Sequence, residues 1–207
     1  MHIVRFTKFW AGMSAQAMGE RAAALGYDGL DLAVRPGHAV AVDNVSVALP
    51  DAVRGWRALG VECSMITAEV SLTDASAGGA RTLFRAAAES GVPRIKIGYF
   101  QYAPGSSFDT AWEAARRALE GFEELARETG VQAMVHSHGG LCLGSTCAGL
   151  RHLLEGFDPA FIGAYPDLGH LAIGGEDPRI GLAMLRGSLA AVAAKDARHV
   201  RDTRPDA

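Results

Sequence analysis

Two periods of apolar and polar positions share this chain, and the switch from one to the other recurs. An alanine-rich amphipathic segment meets a glycine and is followed by a short β-branched or bulky run. Ala22-Ala23-Ala24-Leu25-Gly26 precedes Gly29 to Val34, and Trp56-Arg57-Ala58-Leu59-Gly60 precedes Val61 to Ile66. Ala87-Ala88-Glu89-Ser90-Gly91 precedes Arg94 to Phe100, and Ala126-Arg127-Glu128-Thr129-Gly130 precedes Val131 to Val135. The glycine ends each helix in a left-handed turn that residues with a Cβ resist, and the run after it suits a sheet. The pattern therefore predicts helix, stop, strand, four times over.

Around this repeat, Ile3 to Phe6 reads as a first strand, Ser14 as the cap of a first helix, and Pro50 as a first-turn residue of the second. Thr146 to Glu155 reads as a short helix and Phe161 to Tyr165 as a sixth strand. Asp177-Pro178 opens a helix to about Leu189, and Ala190 to Ala194 is a seventh strand candidate ending in Lys195-Asp196. Strands alternating with helices require right-handed crossovers and a parallel sheet. Spacing alone leaves two architectures open, a doubly wound sheet and an eight-stranded α/β barrel. The first strand runs into Thr7-Lys8-Phe9-Trp10-Ala11-Gly12 rather than a glycine-rich dinucleotide fingerprint, which removes the usual reason for a Rossmann fold. A closed barrel lacks its eighth strand, because the seven candidates are followed by the polar tail Arg198 to Ala207. Residues 1–207 read as one domain without a linker.

Composition narrows the function classes. A net charge of -3 and a pI near 6.2, with Lys and Arg scattered among acids, give no basic surface and disfavour nucleic acid. No apolar run approaches a bilayer span and the start lacks the segments of a signal peptide, so a cytoplasmic protein is expected. Cys63, Cys142 and Cys147 are odd in number and lack metal-ligand spacing; they read as buried thiols.

The candidate chemistry lies at the strand exits, where parallel α/β proteins place their sites. These exits carry Thr7 and Lys8; Arg35 and His38; Thr67 and Glu69; Gln101 and Tyr102; His136 and His138; Asp167 and His170; and Lys195 with Asp196. Four of the seven histidines fall on them, which points to a common site. His136 and His138 are two apart, so on an extended strand both rings project from one face. Facing a carboxylate on the next strand, such a pair can hold Zn, Mn, Co or Fe, or can be a pair bonded to backbone at a strand end. Asp167 and His170 likewise read either as site residues or as a turn cap with a loop histidine. His138-Gly139-Gly140 is similar to an oxyanion-hole segment, but no Gly-x-Ser-x-Gly nucleophile turn accompanies it. Lys96, in mid-strand, either reaches into a site or snorkels at a barrel mouth. Arg35-Pro36-Gly37-His38 can bind an anionic or polyol substrate, though Pro-Gly is first a turn. Trp56 and Trp112, on helices, read as core.

Several of these segments together resemble one family. They are Leu25-Gly26-Tyr27-Asp28-Gly29-Leu30-Asp31-Leu32, Val34-Arg35-Pro36-Gly37-His38, Ser64-Met65-Ile66-Thr67, Ile97 to Tyr102, His138-Gly139-Gly140, Asp167-Leu168-Gly169-His170 and Lys195-Asp196. In order they resemble the xylose isomerase-like TIM barrels, the sugar phosphate isomerase/epimerase group that shares its barrel with tagatose 3-epimerase and endonuclease IV. The resemblance implies an incomplete (β/α) TIM-type barrel of about seven strands. It also implies a divalent metal (Mn, Mg, Co or Zn) at the C-terminal mouth, held by acids and a histidine ending strands five to eight. Asp167 occupies the strand-six ligand position and His170 the histidine after it. His136-Ser137-His138 stands where many members have Glu-Asn-His, and Ala193 stands where the strand-seven histidine is expected. The implied assignment is metal at His136, Asp167 and His170, with His136 or Glu69 as the replacement base. Substrate contacts come from Arg35, His38, Lys96, His138, His170 and Lys195. The expected activity is metal-assisted proton transfer on a small sugar or sugar phosphate. The alternatives are a non-catalytic sugar-binding barrel and an endonuclease IV-like phosphoesterase. An open barrel edge further suggests a homo-oligomer.

Overall fold

The computed structural model describes residues 2–197 and residue 200, so the polar tail anticipated from Arg198 lies, Val200 apart, outside the described residues. Six strands form one parallel sheet: β1 (Val4–Phe6), β2 (Gly29–Ala33), β3 (Glu62–Thr67), β4 (Arg94–Lys96), β5 (Gln132–His136) and β6 (Ile162–Tyr165). Their spatial order is their chain order, β1 through β6. A doubly wound sheet reverses direction at a switch point, and this one does not. Strands laid down in sequence with a helix after each are the winding of a TIM-type barrel. Among the described residues β6 does not pair with β1, so the sheet stays open.

The helices are α1 (Ala15–Ala24), α2 (Val45–Ala58), α3 (Gly78–Glu89), α4 (Phe108–Thr129), α5 (Cys147–Leu153), α6 (Leu168–Gly174) and α7 (Pro178–Met184), and Thr7–Trp10 is a 3-10 turn. All four repeat glycines, Gly26, Gly60, Gly91 and Gly130, have positive φ, as the pattern predicts. Ser14 caps α1 by accepting from the Ala17 amide, and Thr146 caps α5 by accepting from that of Gly149. The helix assigned from Pro50 starts five residues earlier, at Val45, so Pro50 lies inside α2. The three cysteines are free and buried, Trp56 is core, and Trp112 is half-buried, stacked on Phe108 and His152.

Two expected strands shrink. Beyond Lys96 the ladder of β4 stops, because the Gly98 and Tyr99 amides donate instead to the Leu72 and Val70 carbonyls. The seventh strand exists only as single bridges, Ala164 to Leu189 and Asp167 to Ala193, so residues 188–193 lie beside β6 without a ladder. Arg94 holds that segment from below, donating from Nη1 to the Ala190 carbonyl at 2.7 Å.

Alternation sorts the strands into two faces. Leu30, Leu32, Ile66, Ile95 and Ile97 belong to the apolar core shared with α2, α3 and α4. The barrel interior is layered: Asp31 pairs in register with Met65, then Thr67 with Lys96 and Lys96 with Met134, then His136 with Tyr165. Polar groups thus climb the inner face toward the strand exits.

Candidate functional site

The chain leaves β6 at Tyr165, and Asp167 is the first residue able to turn it. Its Oδ1 accepts from the amides of Gly169 at 3.0 Å and His170 at 3.3 Å, and this cap starts α6. The segment read as an exit loop is therefore a short helix. Its own amide donates to Ser137 Oγ at 2.9 Å, which ties it to the end of β5. The other oxygen, Oδ2, lies 3.2 Å from His136 Nε2 and also accepts from the Lys195 ammonium. Gly169 permits this: a Cβ there would lie 2.9 Å from Lys195 Cβ. Asp167 is fully buried, which works against its charge, but the hydrogen bonds from His136 and Lys195 outweigh burial and hold the carboxyl below the usual range.

His136 is buried, and desolvation brings its imidazole down to about 4, against the pull of Asp167. It is neutral at pH 7. With Nε2 donating to Asp167, Nδ1 is the acceptor, and Nδ1 is buried without a partner. His138 and His136 lie on one side, ring centroids 6.3 Å apart, as the two-residue spacing predicts. The His170 ring lies 4.0 Å from that of His138, tilted by 42°, and Tyr99 lies 4.6 Å from His138 and 5.8 Å from His136.

A second group lies deeper. Asp31 is 3% exposed; its Oδ2 accepts from Thr67 Oγ1 at 2.9 Å and its Oδ1 has no partner. Lys96 is 1% exposed, with Nζ unpartnered 3.5 Å above the Tyr99 ring. Burial pushes the Asp31 carboxyl up to about 7, partly offset by Thr67, Lys96 and Arg35. Burial and the charge of Arg35 bring the Lys96 amine down to about 7. Arg35 and His38 sit half-buried above β2, each with a buried nitrogen lacking a partner. Thr7 steadies the end of β2 by accepting from the Ala33 amide at 2.8 Å.

The structure thus gathers His136, His138, His170, Asp167 and Lys195, places Arg35 and Lys96 beside them, and sets His38 next to Arg35. Glu69 is half-buried, and no hydrogen bond or ion pair joins it to this group. The geometry does not present the expected metal trio as an open ligand set. Both oxygens of Asp167 are saturated, one by amides and one by an ammonium and an imidazole, and the His170 ring turns to His138. Among the described residues no group of three or more His, Cys, Asp or Glu could hold a metal ion. The donor set does not fit a divalent cation; the cation on this carboxylate is Lys195. Asp31 lies in a strand interior, away from the exits that carry all the sequence candidates but Lys96. The signal was there, a lone carboxylate between Leu30 and Leu32 in a wholly buried strand, the same anomaly that marked Lys96.

The sequence profile of the xylose isomerase-like TIM barrel family matches residues 20–206. An inosose dehydratase of Lacticaseibacillus casei is 37% identical over 70 residues, which is 34% of this chain and 23% of that protein. Among solved structures, a 3-keto-D-glucoside 4-epimerase from E. coli superposes with a TM-score of 0.73 at 16% identity, covering 93% of this chain and 78% of the other. A probable 3-DHS dehydratase from Bacillus anthracis gives 0.75 at 16% identity, covering 93% and 72%. At such identities these structures speak for the fold alone. No described helix is long and apolar enough to cross a membrane.

Proposed function

Since this chain belongs to the xylose isomerase-like TIM barrel family, we propose that it modifies a small sugar or polyol at the strand-exit rim by moving a proton next to a carbonyl carbon. One observation carries this reading. Buried side-chain polar atoms without partners are rare in folded proteins, yet Arg35 Nε, His38 Nδ1 and His136 Nδ1 lack them at this rim, as do Asp31 Oδ1 and Lys96 Nζ in the layer beneath it. Acceptors and donors left open side by side suit a ligand dense in hydroxyl and carbonyl groups, which can satisfy both kinds at once. The inosose dehydratase matched at 37% identity over 70 residues supports a substrate of that class.

In this reading Asp167 stays charged and fixes Lys195 and His136. The neutral His136 offers Nδ1 to a substrate hydroxyl. Lys195, half-exposed, and the half-buried His138, His170 and Arg35 meet the outer end of the ligand. No step passes through a metal.

The test is proton NMR of D-fructose and D-tagatose in D2O with the purified protein. The expected result is deuterium entering the carbon beside the carbonyl, at a rate unchanged by EDTA. Saturable ketose binding without exchange would favour the non-catalytic sugar-binding reading, which the saturated Asp167 also supports. Neither binding nor exchange with these or other ketoses and inososes would sink the proposal.

A further inference from the structure

We propose that Asp31 and Lys96 are the proton-transfer pair of this site, acting on a hydroxyketone whose carbonyl end reaches the inner layer beneath the histidines. This rests on the reading of the rim as a sugar site. The placement comes from three adjacent strands. Asp31 is on β2, Thr67 on β3 and Lys96 on β4; Thr67 donates to Asp31 Oδ2 and pairs in register with Lys96. Thr67 therefore pins one carboxylate oxygen and leaves Oδ1 open. Lys96 Nζ is open as well, held over the face of Tyr99. A buried carboxylate and a buried ammonium that do not bond each other, although each feels the other's charge, each keep one position open to a ligand atom.

The chemistry balances with these two groups alone. The Asp31 carboxylate takes the hydrogen from the hydroxyl-bearing carbon, and the electron pair of that C–H bond forms the C=C bond. The carbonyl π pair moves to its oxygen, which takes a proton from the Lys96 ammonium, giving a neutral enediol, a carboxylic acid and an amine. Return of the carboxylic proton to the former carbonyl carbon, with the amine removing the other hydroxyl proton, shifts the carbonyl by one carbon and restores both groups. A base and an acid both tuned close to neutrality suit such an exchange.

Asp31→Asn and Lys96→Met keep the shape and remove a buried charge, so both variants should fold with melting temperatures at or above wild type. With D-fructose or D-tagatose in D2O, each should lose exchange at least 100-fold, a loss far larger than any accompanying loss of ketose affinity. Lys96→Arg, which keeps charge but cannot release a proton, should behave like Lys96→Met in exchange. Exchange at the wild-type rate in Asp31→Asn would overturn the pair and leave the sugar-site reading standing. If wild type neither binds nor exchanges ketose, the sugar-site reading fails, and a substrate-free measurement decides the pair. The 13Cε signal of Lys96 should titrate close to neutral pH, facing Arg35, Asp31, Cys142 and Lys195, and fall further in Asp31→Asn. Titration above pH 10 in both proteins would overturn the proposal.

Discussion

Asp167 is the residue on which most of the outer site converges, and its replacement separates charge from shape. Asp167→Asn keeps the cap on α6 but leaves Lys195 without its anion and His136 facing an amide. Lys195 is half-exposed and rehydrates, so the cost should be about 1–3 kcal/mol, read as a lower urea midpoint with an unchanged slope. The inner pair makes a prediction of opposite character. The raised Asp31 carboxyl binds its proton more tightly folded than unfolded, so its contribution to stability falls as pH rises from about 4 to about 7. The depressed Lys96 amine does the reverse, and its contribution grows from about pH 7 toward 10. Unfolding free energies of wild type minus Asp31→Asn should decline across the first window, and those of wild type minus Lys96→Met should climb across the second. Legibility differed in the same way between the two groups. His136, Asp167 and Lys195 were visible because strand ends are where polar residues are sought. Asp31 was hidden because a strand interior is read for apolar periodicity, and one carboxylate there looks like noise until its neighbours in space are known.

Element by element, what is encoded locally was readable and what is encoded by neighbours was not. The glycine after each repeat helix announces itself, since its left-handed turn depends on that residue alone. By contrast, β4 was read through Phe100 and stops at Lys96, because the loop after β3 comes back to capture the Gly98 and Tyr99 amides. That capture needs glycine: a Cβ at position 98 would stand 2.6 Å from the Val70 carbonyl oxygen and 2.7 Å from that of Leu72. Gly98→Ala should cost about 1–3 kcal/mol in chemical denaturation, since main chain cannot yield as a side-chain tip can. It should also disturb Tyr99 and hence the ring beneath Lys96. The helix α6 went unseen because it is short and opens on Asp167's side-chain cap, and a Pro-Asp-Leu-Gly segment reads equally well as a turn.

At the scale of the whole molecule, the alternation of elements showed a parallel α/β protein, while only the strand order separated a barrel winding from a doubly wound sheet. Nothing in the spacing of a single chain records which strands lie side by side. The open sheet exposes apolar side chains near both margins, Ile3 before β1 and Leu189 and Val192 beside β6. Association through these margins should appear as concentration-dependent mass in sedimentation velocity, and Ile3→Lys should weaken it. A single sharp monomer boundary up to high protein concentration would count against it.

Strand order equal to chain order also has a consequence for synthesis. Asp31, Thr67 and Lys96 leave the ribosome before the histidines of β5 and Asp167, on three consecutive strands that pair with one another. Domains can begin to fold from their N-terminal side while the remainder is still being made. The inner carboxylate and amine would thus be brought together early in the nascent chain, and the histidines and Asp167 would arrive afterwards as their roof.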